Sequence, residues 1–208
     1  MHMKIRVILV LLLFITPQLY AQDANLEQLF QSELLQKNEN VTSIKCEFSQ
    51  TREVAILANK ISKKGVFYFA MPNNMLLKFD DGDYIKMSSE WFEIKMASNI
   101  TTTKVTANPM LRNLSAILSA CVVGDIGKIS RGFAVDYKCS SKEWTITLTP
   151  QQGKAASKIS RIIITFDKSD MSLNLLKMEE KSGDYTAYNF TNKQFNTAID
   201  SQLFNVSK

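Results

Sequence analysis

The stretch Phe48–Ile94 constrains the fold most, because apolar residues alternate along it in short runs separated by turn residues. Met75, Leu77 and Phe79 are apolar, whereas Lys78 between them is charged. Alternation with a period of two is typical of a strand that buries only one of its faces. The stretch therefore predicts a meander of short antiparallel strands.

The run Val66–Met71 within this meander is apolar at successive positions and ends at the turn Pro72-Asn73-Asn74. Proline presets the first dihedral of a turn, and asparagine tolerates left-handed backbone. A strand without a polar face is either covered by protein on both sides or faces an apolar ligand. The sequence leaves these two interpretations open.

The N-terminus has the layout of a secretory signal peptide. Lys4 and Arg6 precede the apolar run Val7–Ile15, which is too short to span a bilayer, and Ala21 is the expected cleavage position. We therefore predict a signal peptide over residues 1–21 and one exported, soluble domain over residues 22–208. The formal net charge of +5 comes from scattered lysines, which argues against nucleic-acid binding.

Two amphipathic helices are predicted by apolar residues at helical spacing. The first covers Asn25–Lys37, with capping residues at Asn25 and Gln28, and its apolar stripe consists of Leu26, Leu29, Phe30 and Leu34. The second begins at Asn108-Pro109, and its apolar face consists of Met110, Leu111, Leu114, Ile117, Leu118 and Cys121. We expect the second helix to lie across the sheet as a lid.

The second half of the chain returns to strand alternation, as in Trp144, Ile146 and Leu148. Roughly ten strands with few long connections favour one antiparallel sheet curled towards a barrel. Two helices are too few to cover the inner face of such a sheet. The barrel is therefore either filled by its own side chains or encloses an apolar space that accepts a hydrophobic ligand.

Several kinds of catalytic and metal site are excluded by what the chain lacks. His2, inside the predicted signal peptide, is the only histidine, which removes histidine-dependent nucleophiles and histidine metal sites. Asp80, Asp81 and Asp83 do not follow the EF-hand spacing and are interpreted as a solvated turn. We interpret the chain as a binding protein, not an enzyme, without cofactor or metal.

Three cysteines, Cys46, Cys121 and Cys139, match no zinc or redox motif. Cys46 shares its strand parity with Ile44 and Phe48, which predicts a buried, inert thiol. A disulfide between Cys121 and Cys139 is left open by the sequence.

A set of motifs in a fixed order resembles the LolA family of periplasmic outer-membrane lipoprotein carriers. The motifs are Phe48-Ser49-Gln50, Gly65-Val66-Phe67-Tyr68, Pro72, Trp91-Phe92, Leu148-Thr149-Pro150, Tyr188-Asn189-Phe190, Phe195-Asn196 and Leu203-Phe204. The resemblance covers essentially the whole chain after the signal peptide. It implies a mainly β fold, in which a single antiparallel sheet forms an open, unclosed barrel and helices lid an apolar cavity for lipoprotein acyl chains.

The resemblance also implies partners: acylated lipoproteins, an inner-membrane ABC lipoprotein-release complex and an outer-membrane acceptor, for a monomeric carrier in the periplasm. We expect the acyl chains to contact a set of apolar side chains on strands and on the second helix. These are Phe48, Phe67, Phe69, Met75, Leu77, Phe79, Phe92, Ile94, Met110, Leu111, Leu114, Ile117, Leu118, Trp144 and Ile146.

The chain departs from the family pattern near Pro72. Family members often carry a basic residue before this proline and an arginine a few residues after it, where this chain has Met71 and Leu76. Ser88-Ser89-Glu90 replaces a frequent Asp-Gly before the tryptophan. Two alternatives to a lipoprotein carrier remain, an envelope-stress sensor of the same fold and a carrier of another lipid.

Overall fold

A computed structural model describes residues 18–57, 59–107, 117, 120, 132–151 and 158–207, with side chains from residue 25 onward. In these residues the chain forms a helix, α1 (Gln18–Asn38), followed by eleven strands. The strands are β1 (Ser43–Val54), β2 (Asn59–Ala70), β3 (Asn74–Phe79), β4 (Tyr84–Met87), β5 (Trp91–Met96), β6 (Asn99–Lys104), β7 (Phe133–Cys139), β8 (Glu143–Pro150), β9 (Ile159–Asp167), β10 (Leu173–Glu180) and β11 (Tyr185–Phe195).

All eleven strands belong to one antiparallel sheet, in the order β6-β5-β4-β3-β2-β1-β11-β10-β9-β8-β7. Consecutive strands are neighbours in the sheet except for β6 and β7, and β11 returns to pair with β1. Within the described residues β6 and β7 are its two edges and do not pair with each other. The predicted fold class, a mainly β protein with one unclosed sheet, is confirmed.

One face of this sheet carries the apolar core and is called the inner face here. Strand alternation places Phe67 of β2 beside Cys46 of β1 and Leu77 of β3 on this face, and all three side chains are buried. The opposite, outer face carries Tyr68 beside Lys45 and Leu76. The core is therefore an apolar layer on one side of the sheet, continuous from β1 to β11 and across to β7.

Helix α1 covers part of the inner face, but its bounds and its buried side differ from the prediction. It begins at Gln18, within the residues assigned to the signal peptide, so Asn25 is inside the helix and does not cap it. Phe30 and Leu34 are completely buried, as their apolar stripe predicts. Leu29, predicted in the same stripe, is 44% exposed.

One strand bound also differs from what the sequence predicts. Alternation at Ile44, Cys46 and Phe48 predicts a strand over Ser43–Leu57, but β1 ends at Val54 and a short 3-10 helix (Ala55–Leu57) follows it. The polar, threonine-rich residues 99–106 predict either a loop or a ragged edge strand, and the structure has the edge strand β6, which pairs with β5 along its whole length. Threonine is frequent in strands because its branched side chain fits a pleated surface.

The turn between β3 and β4 carries the three aspartates considered for calcium. Lys63 Nζ lies 2.7 Å from an Asp81 carboxylate oxygen and 2.6 Å from an Asp83 oxygen. Asp83 also accepts a hydrogen bond from the backbone N–H of Ala97 at 2.7 Å. The turn thus joins three hairpins of the sheet, and no described group of three or more metal-ligating side chains is arranged to hold a metal ion.

The C-terminal segment lies against the outer face of β3 to β5. A 3-10 helix (Ser201–Phe204), capped by Asp200, contacts β3. Lys86 Nζ donates a hydrogen bond to the Asn205 carbonyl at 2.7 Å. This cover explains why Leu76 is only 3% exposed although it lies on the outer face.

Glu93 is buried completely beneath the same segment. Its carboxylate accepts hydrogen bonds from Tyr84 Oη at 2.9 Å, Thr102 Oγ1 at 3.1 Å and the Ser207 backbone N–H at 2.5 Å. Lys86 Nζ lies 3.4 Å away. Burial raises the pKa of this carboxyl, but the three donors and the lysine together outweigh burial and hold the pKa below its ordinary value.

We predict that Glu93→Gln lowers the free energy of unfolding by about 2 to 3 kcal/mol at pH 7, because Lys86 loses its carboxylate and an NH2 group faces hydrogen-bond donors. Since the folded pKa is below the unfolded one, wild type loses this stabilisation as the pH falls from the ordinary value of 4.5 through the folded pKa. Urea titrations should therefore show a smaller difference in the free energy of unfolding between wild type and Glu93→Gln over this acidic pH range.

The matched control is Glu90→Gln, since Glu90 is exposed in the turn between β4 and β5. Glu90→Gln should leave the urea midpoint of unfolding almost unchanged, both at pH 7 and at a pH below 4.5. Equal midpoints for wild type and Glu93→Gln at pH 7 would contradict a stabilising role for the buried carboxylate.

Candidate functional site

The inner face gathers the strand residues that the sequence named as cavity lining. All ten belong to the apolar layer, with Ile94 the only one of them that is half-buried. They are Phe48, Phe67, Phe69, Met75, Leu77, Phe79, Phe92, Ile94, Trp144 and Ile146. Their shared location is established by the strand register; that they bind acyl chains stays a prediction.

The predicted lid helix is described at two positions only. Ile117 and Ala120 are helical, 2% and 4% exposed, and belong to the inner-face layer. The other five residues of the predicted apolar face, Met110, Leu111, Leu114, Leu118 and Cys121, lie outside the described residues.

Helix α1 supplies contacts that the sequence did not assign to the site. The Phe30 ring lies 5.1 Å from the Phe166 ring, 5.4 Å from the Trp144 ring and 5.8 Å from the Tyr137 ring. Trp144 Nε1 donates a hydrogen bond to Glu33 Oε2 at 2.8 Å, which satisfies the buried indole N–H. The apolar stripe of the predicted helix identified Phe30 as a buried residue. Its aromatic partners on β7, β8 and β9 could not be predicted, because they depend on how the strands are arranged in the sheet.

The side chains of the apolar run Val66–Met71 lie in two different environments. Phe67 and Phe69 are buried on the inner face, whereas Val66 and Tyr68 are half-buried on the outer face. Lys45 Nζ lies 6.0 Å from the centre of the Tyr68 ring. The outer half of this strand is therefore covered by neighbouring side chains of the sheet.

Among the described residues, two small cavities lie in the inner-face layer. The larger, about 70 Å³, lies between β2, β3, β4 and β5 on one side and β10 and β11 on the other. Its lining is Phe67, Leu77, Ile85, Met87, Phe92, Leu176, Tyr188 and Phe190. Sites for drug-sized ligands have roughly 300 to 1,000 Å³, so neither of these two cavities has the volume of such a site in this conformation.

The smaller cavity, about 20 Å³, lies near the ends of β1 and β11 and contains a charged side chain. Lys193 shares its lining with Cys46, Phe67 and Phe190. Burial lowers the pKa of the Lys193 ammonium, against the opposing influence of Asp170, Asp167 and Cys46. Sequence reasoning missed this lysine, because polar residues surround it along β11.

Cys46 follows the prediction of a buried thiol, whereas Cys139, left open as a possible disulfide partner, is exposed. Cys46 is buried and free, and burial raises the pKa of its thiol to about 12. Cys139 is free and exposed, 3.0 Å from Lys168 Nζ. Cys121 lies outside the described residues.

The positions where the family pattern has basic residues are not at the cavities. Leu76 points to the outer face beneath the C-terminal segment, and Met71 is 48% exposed in the turn before Pro72. Leu76 therefore lines neither of the two cavities. Its parity with Lys78 on β3 already indicated the outer face.

Comparison with known proteins finds a family model described as "Outer membrane lipoprotein carrier protein LolA", which matches residues 39–207. No curated protein sequence matches the chain. Among the described residues no helix has the length and hydropathy needed to cross a membrane.

Solved structures with a similar fold have very different sequences. An uncharacterized conserved protein from Thermus thermophilus has a TM-score of 0.50 at 8% identity, covering 87% of this chain and 94% of that one. A LolA superfamily protein, NE2245 from Nitrosomonas europaea, has a TM-score of 0.43 at 10% identity, covering 86% of this chain and 97% of that one. The structure of the Pseudomonas aeruginosa MucA/MucB complex has a TM-score of 0.41 at 9% identity, covering 88% of this chain and 61% of that one.

Gly65 on β2 allows a direct test of inner-face packing. It lies between Phe48 of β1 and Phe79 of β3, whose rings meet edge to face at 5.1 Å. A Cβ at this glycine would lie 2.1 Å from the Lys78 carbonyl oxygen and 2.8 Å from Phe79 Cα. Only glycine therefore permits this close approach of β2 and β3.

We predict that Gly65→Ala lowers the free energy of unfolding by about 2 to 3 kcal/mol, because backbone must shift to admit the methyl group. Gly82→Ala is the control, since no atom lies within 4 Å of its added Cβ and only its positive φ opposes the change. Gly82→Ala should lower the free energy of unfolding by about 1 kcal/mol. Equal losses in the two variants by urea unfolding would rule out the close contact.

Proposed function

Because the chain belongs to the family of outer-membrane lipoprotein carrier proteins LolA, we propose that it carries acylated lipoproteins between membranes, with their acyl chains bound on the inner face of the sheet. The observation that carries this proposal is the continuous apolar layer on one face of an unclosed sheet. On this proposal the protein is exported to the periplasm by a signal peptide over residues 1–21 and is a binding protein, not an enzyme.

The proposal has a thermodynamic basis. Each buried methylene contributes about 0.8 kcal/mol, so a 16-carbon chain is held in a membrane by about 12 kcal/mol. A lipoprotein with several such chains leaves a membrane only if its carrier buries comparable apolar area. The inner face of the sheet offers apolar side chains on all eleven strands except β6, whose inner positions are Asn99, Thr101 and Thr103.

Acyl chains need more room than the cavities of about 70 and 20 Å³ supply. We infer that cargo displaces the helices that cover the inner face, α1 with Phe30 and the segment with Ile117 and Ala120. An unclosed sheet suits this exchange, because β6 and β7 can separate without breaking hydrogen bonds between strands. The helices would act as lids that compete with lipid for the same surface.

The proposed partners follow from the carrier role: an inner-membrane ABC release complex that supplies the lipoprotein and an outer-membrane acceptor that receives it. Met71 and Leu76 lie away from the cavities, so the absence of cations at these two positions leaves the inner face unchanged.

Neighbouring leucines on β3 provide a matched test. Leu77 lines the larger cavity and Leu76 is buried on the outer face. Leu77→Phe fills the cavity and should weaken binding of a fluorescent acyl probe about tenfold, on the order of 1.4 kcal/mol. Leu76→Phe should leave that affinity within a factor of two, because it changes the other side of the sheet. Wild-type protein that binds no acyl probe, or equal affinities in both variants, would contradict the proposal.

The cargo is a separate prediction. We expect mass spectrometry of the protein isolated from its native envelope to find acylated lipoproteins, bound through chains that the inner face buries. A co-purifying free lipid instead would favour a carrier of another lipid. A signalling protein in place of any lipid would favour the envelope-stress sensor.

A further inference from the structure

A β-bulge in β11 directs Lys193 towards the inner face. Between Thr191, opposite Glu47, and Gln194, opposite Lys45, β11 has one residue more than β1. Asn192 takes up this irregularity with a φ of 53°, and its Nδ2 donates a hydrogen bond to Glu47 at 2.9 Å. An extra residue reverses strand parity beyond it.

Without the bulge, Lys193 would share the outer face with Asn189 and Thr191. With it, Lys193 lines the small cavity beside Cys46 and Phe190. Bulges commonly re-aim a side chain near a functional site. Here the result is a half-buried ammonium group at the edge of the apolar layer, in a cavity whose lining also includes Asn38 and Ser172.

The ammonium is bound by neutral groups. Lys193 Nζ donates to Ser172 Oγ at 2.7 Å and to Asn174 Oδ1. Among the described residues no carboxylate forms an ion pair with it. Asp167 and Asp170 are its nearest acidic influences, but both accept hydrogen bonds within their own turn, from Ser169 and Ser172.

An ammonium group has three donors, and in the part of the chain that the structure describes two acceptors bind Lys193, which leaves one donor for a ligand. A charged donor in a partly buried site binds an oxygen acceptor more strongly than it does in water. The chemistry that matches is a lipid head that carries oxygen: an ester carbonyl, a carboxylate or a phosphate.

The two cavities have an arrangement that fits such a lipid. Phe67 and Phe190 line both of them, and their rings meet edge to face at 5.4 Å. This ring pair is therefore the partition between the charged end and the fully apolar end. A chain that pushes the two rings apart would extend into the larger cavity while its head remains beside Lys193.

We propose that Lys193 is the polar anchor of the site and binds the oxygen atoms at the head of an acyl chain whose tail enters the larger cavity. This inference rests on the proposed acyl-binding function and adds the position and direction of the bound lipid. It also separates the lysine's contribution, which depends on the head, from that of the apolar layer, which depends on the tail.

The test compares wild type, Lys193→Met and Lys193→Arg with three fluorescent probes: a conjugated C18 fatty acid, its methyl ester and the hydrocarbon diphenylhexatriene. Lys193→Met should bind the fatty acid about tenfold more weakly, the effect of one charge-assisted hydrogen bond, and bind the hydrocarbon within twofold of wild type. Lys193→Arg should retain fatty-acid affinity. A matching loss for the ester identifies the carbonyl as acceptor, and a loss confined to the acid identifies the anionic oxygen.

Two outcomes would overturn the inference while the acyl-binding function stands: unchanged fatty-acid affinity in Lys193→Met, or equal losses for acid and hydrocarbon, which would mark a purely structural lysine. Wild-type protein that binds none of the probes would overturn both. Thermal unfolding of each variant separates a loss of binding from a loss of fold. If Lys193→Met fails to fold, Lys193→Gln replaces it, because glutamine keeps N–H donors for Ser172 and Asn174 but removes the charge, and it should show the same loss for the fatty acid alone.

Discussion

The packing of Phe30 among Tyr137, Trp144 and Phe166 is the contact on which the inner face depends at the β7 edge of the sheet. An unclosed sheet cannot bury its apolar face against itself, so another element must exclude water from it. Helix α1 does this through two fully buried side chains, Phe30 and Leu34, with the half-buried Leu26 packed beside them. Such a narrow contact is easier to exchange for lipid than a broad helix–sheet interface, and that favours a lid over a permanent part of the core.

The two faces of the sheet are covered in different ways. The outer face near β3 to β5 holds the C-terminal segment by specific polar bonds, from Lys86 to Asn205 and from Ser207 to Glu93. The inner face is covered by apolar and aromatic contacts, with the Trp144–Glu33 hydrogen bond as a polar exception. Hydrogen bonds fix one geometry, whereas apolar contacts tolerate replacement by other apolar groups. The difference is consistent with a fixed outer cover and an exchangeable inner one.

Sequence alternation predicted the strands and their faces well, because side-chain direction in a strand is a strictly local property. It separated Leu77 from Leu76 correctly, and the resemblance supplied the unclosed sheet. It did not predict the bulge at Asn192, since a bulge depends on the register between β1 and β11, which are far apart in sequence. For the same reason Lys193 was missed, and Phe30 was recognised as a helix-face residue without its aromatic partners.

The location of Lys193 changes how the missing basic residues near Pro72 should be interpreted. A charge at Leu76 would have met the Asn205 carbonyl and Lys86 on the outer face, where no apolar chain can reach it. Lys193 lies instead on β11, aimed inward by a bulge, and is held by Ser172 and Asn174 without an ion pair in the described residues. An ammonium that is bound but not neutralised by protein has more to gain from a ligand oxygen than one already paired with a carboxylate. The electrostatics of this site therefore favour recognition of the lipid head over closure of a lid.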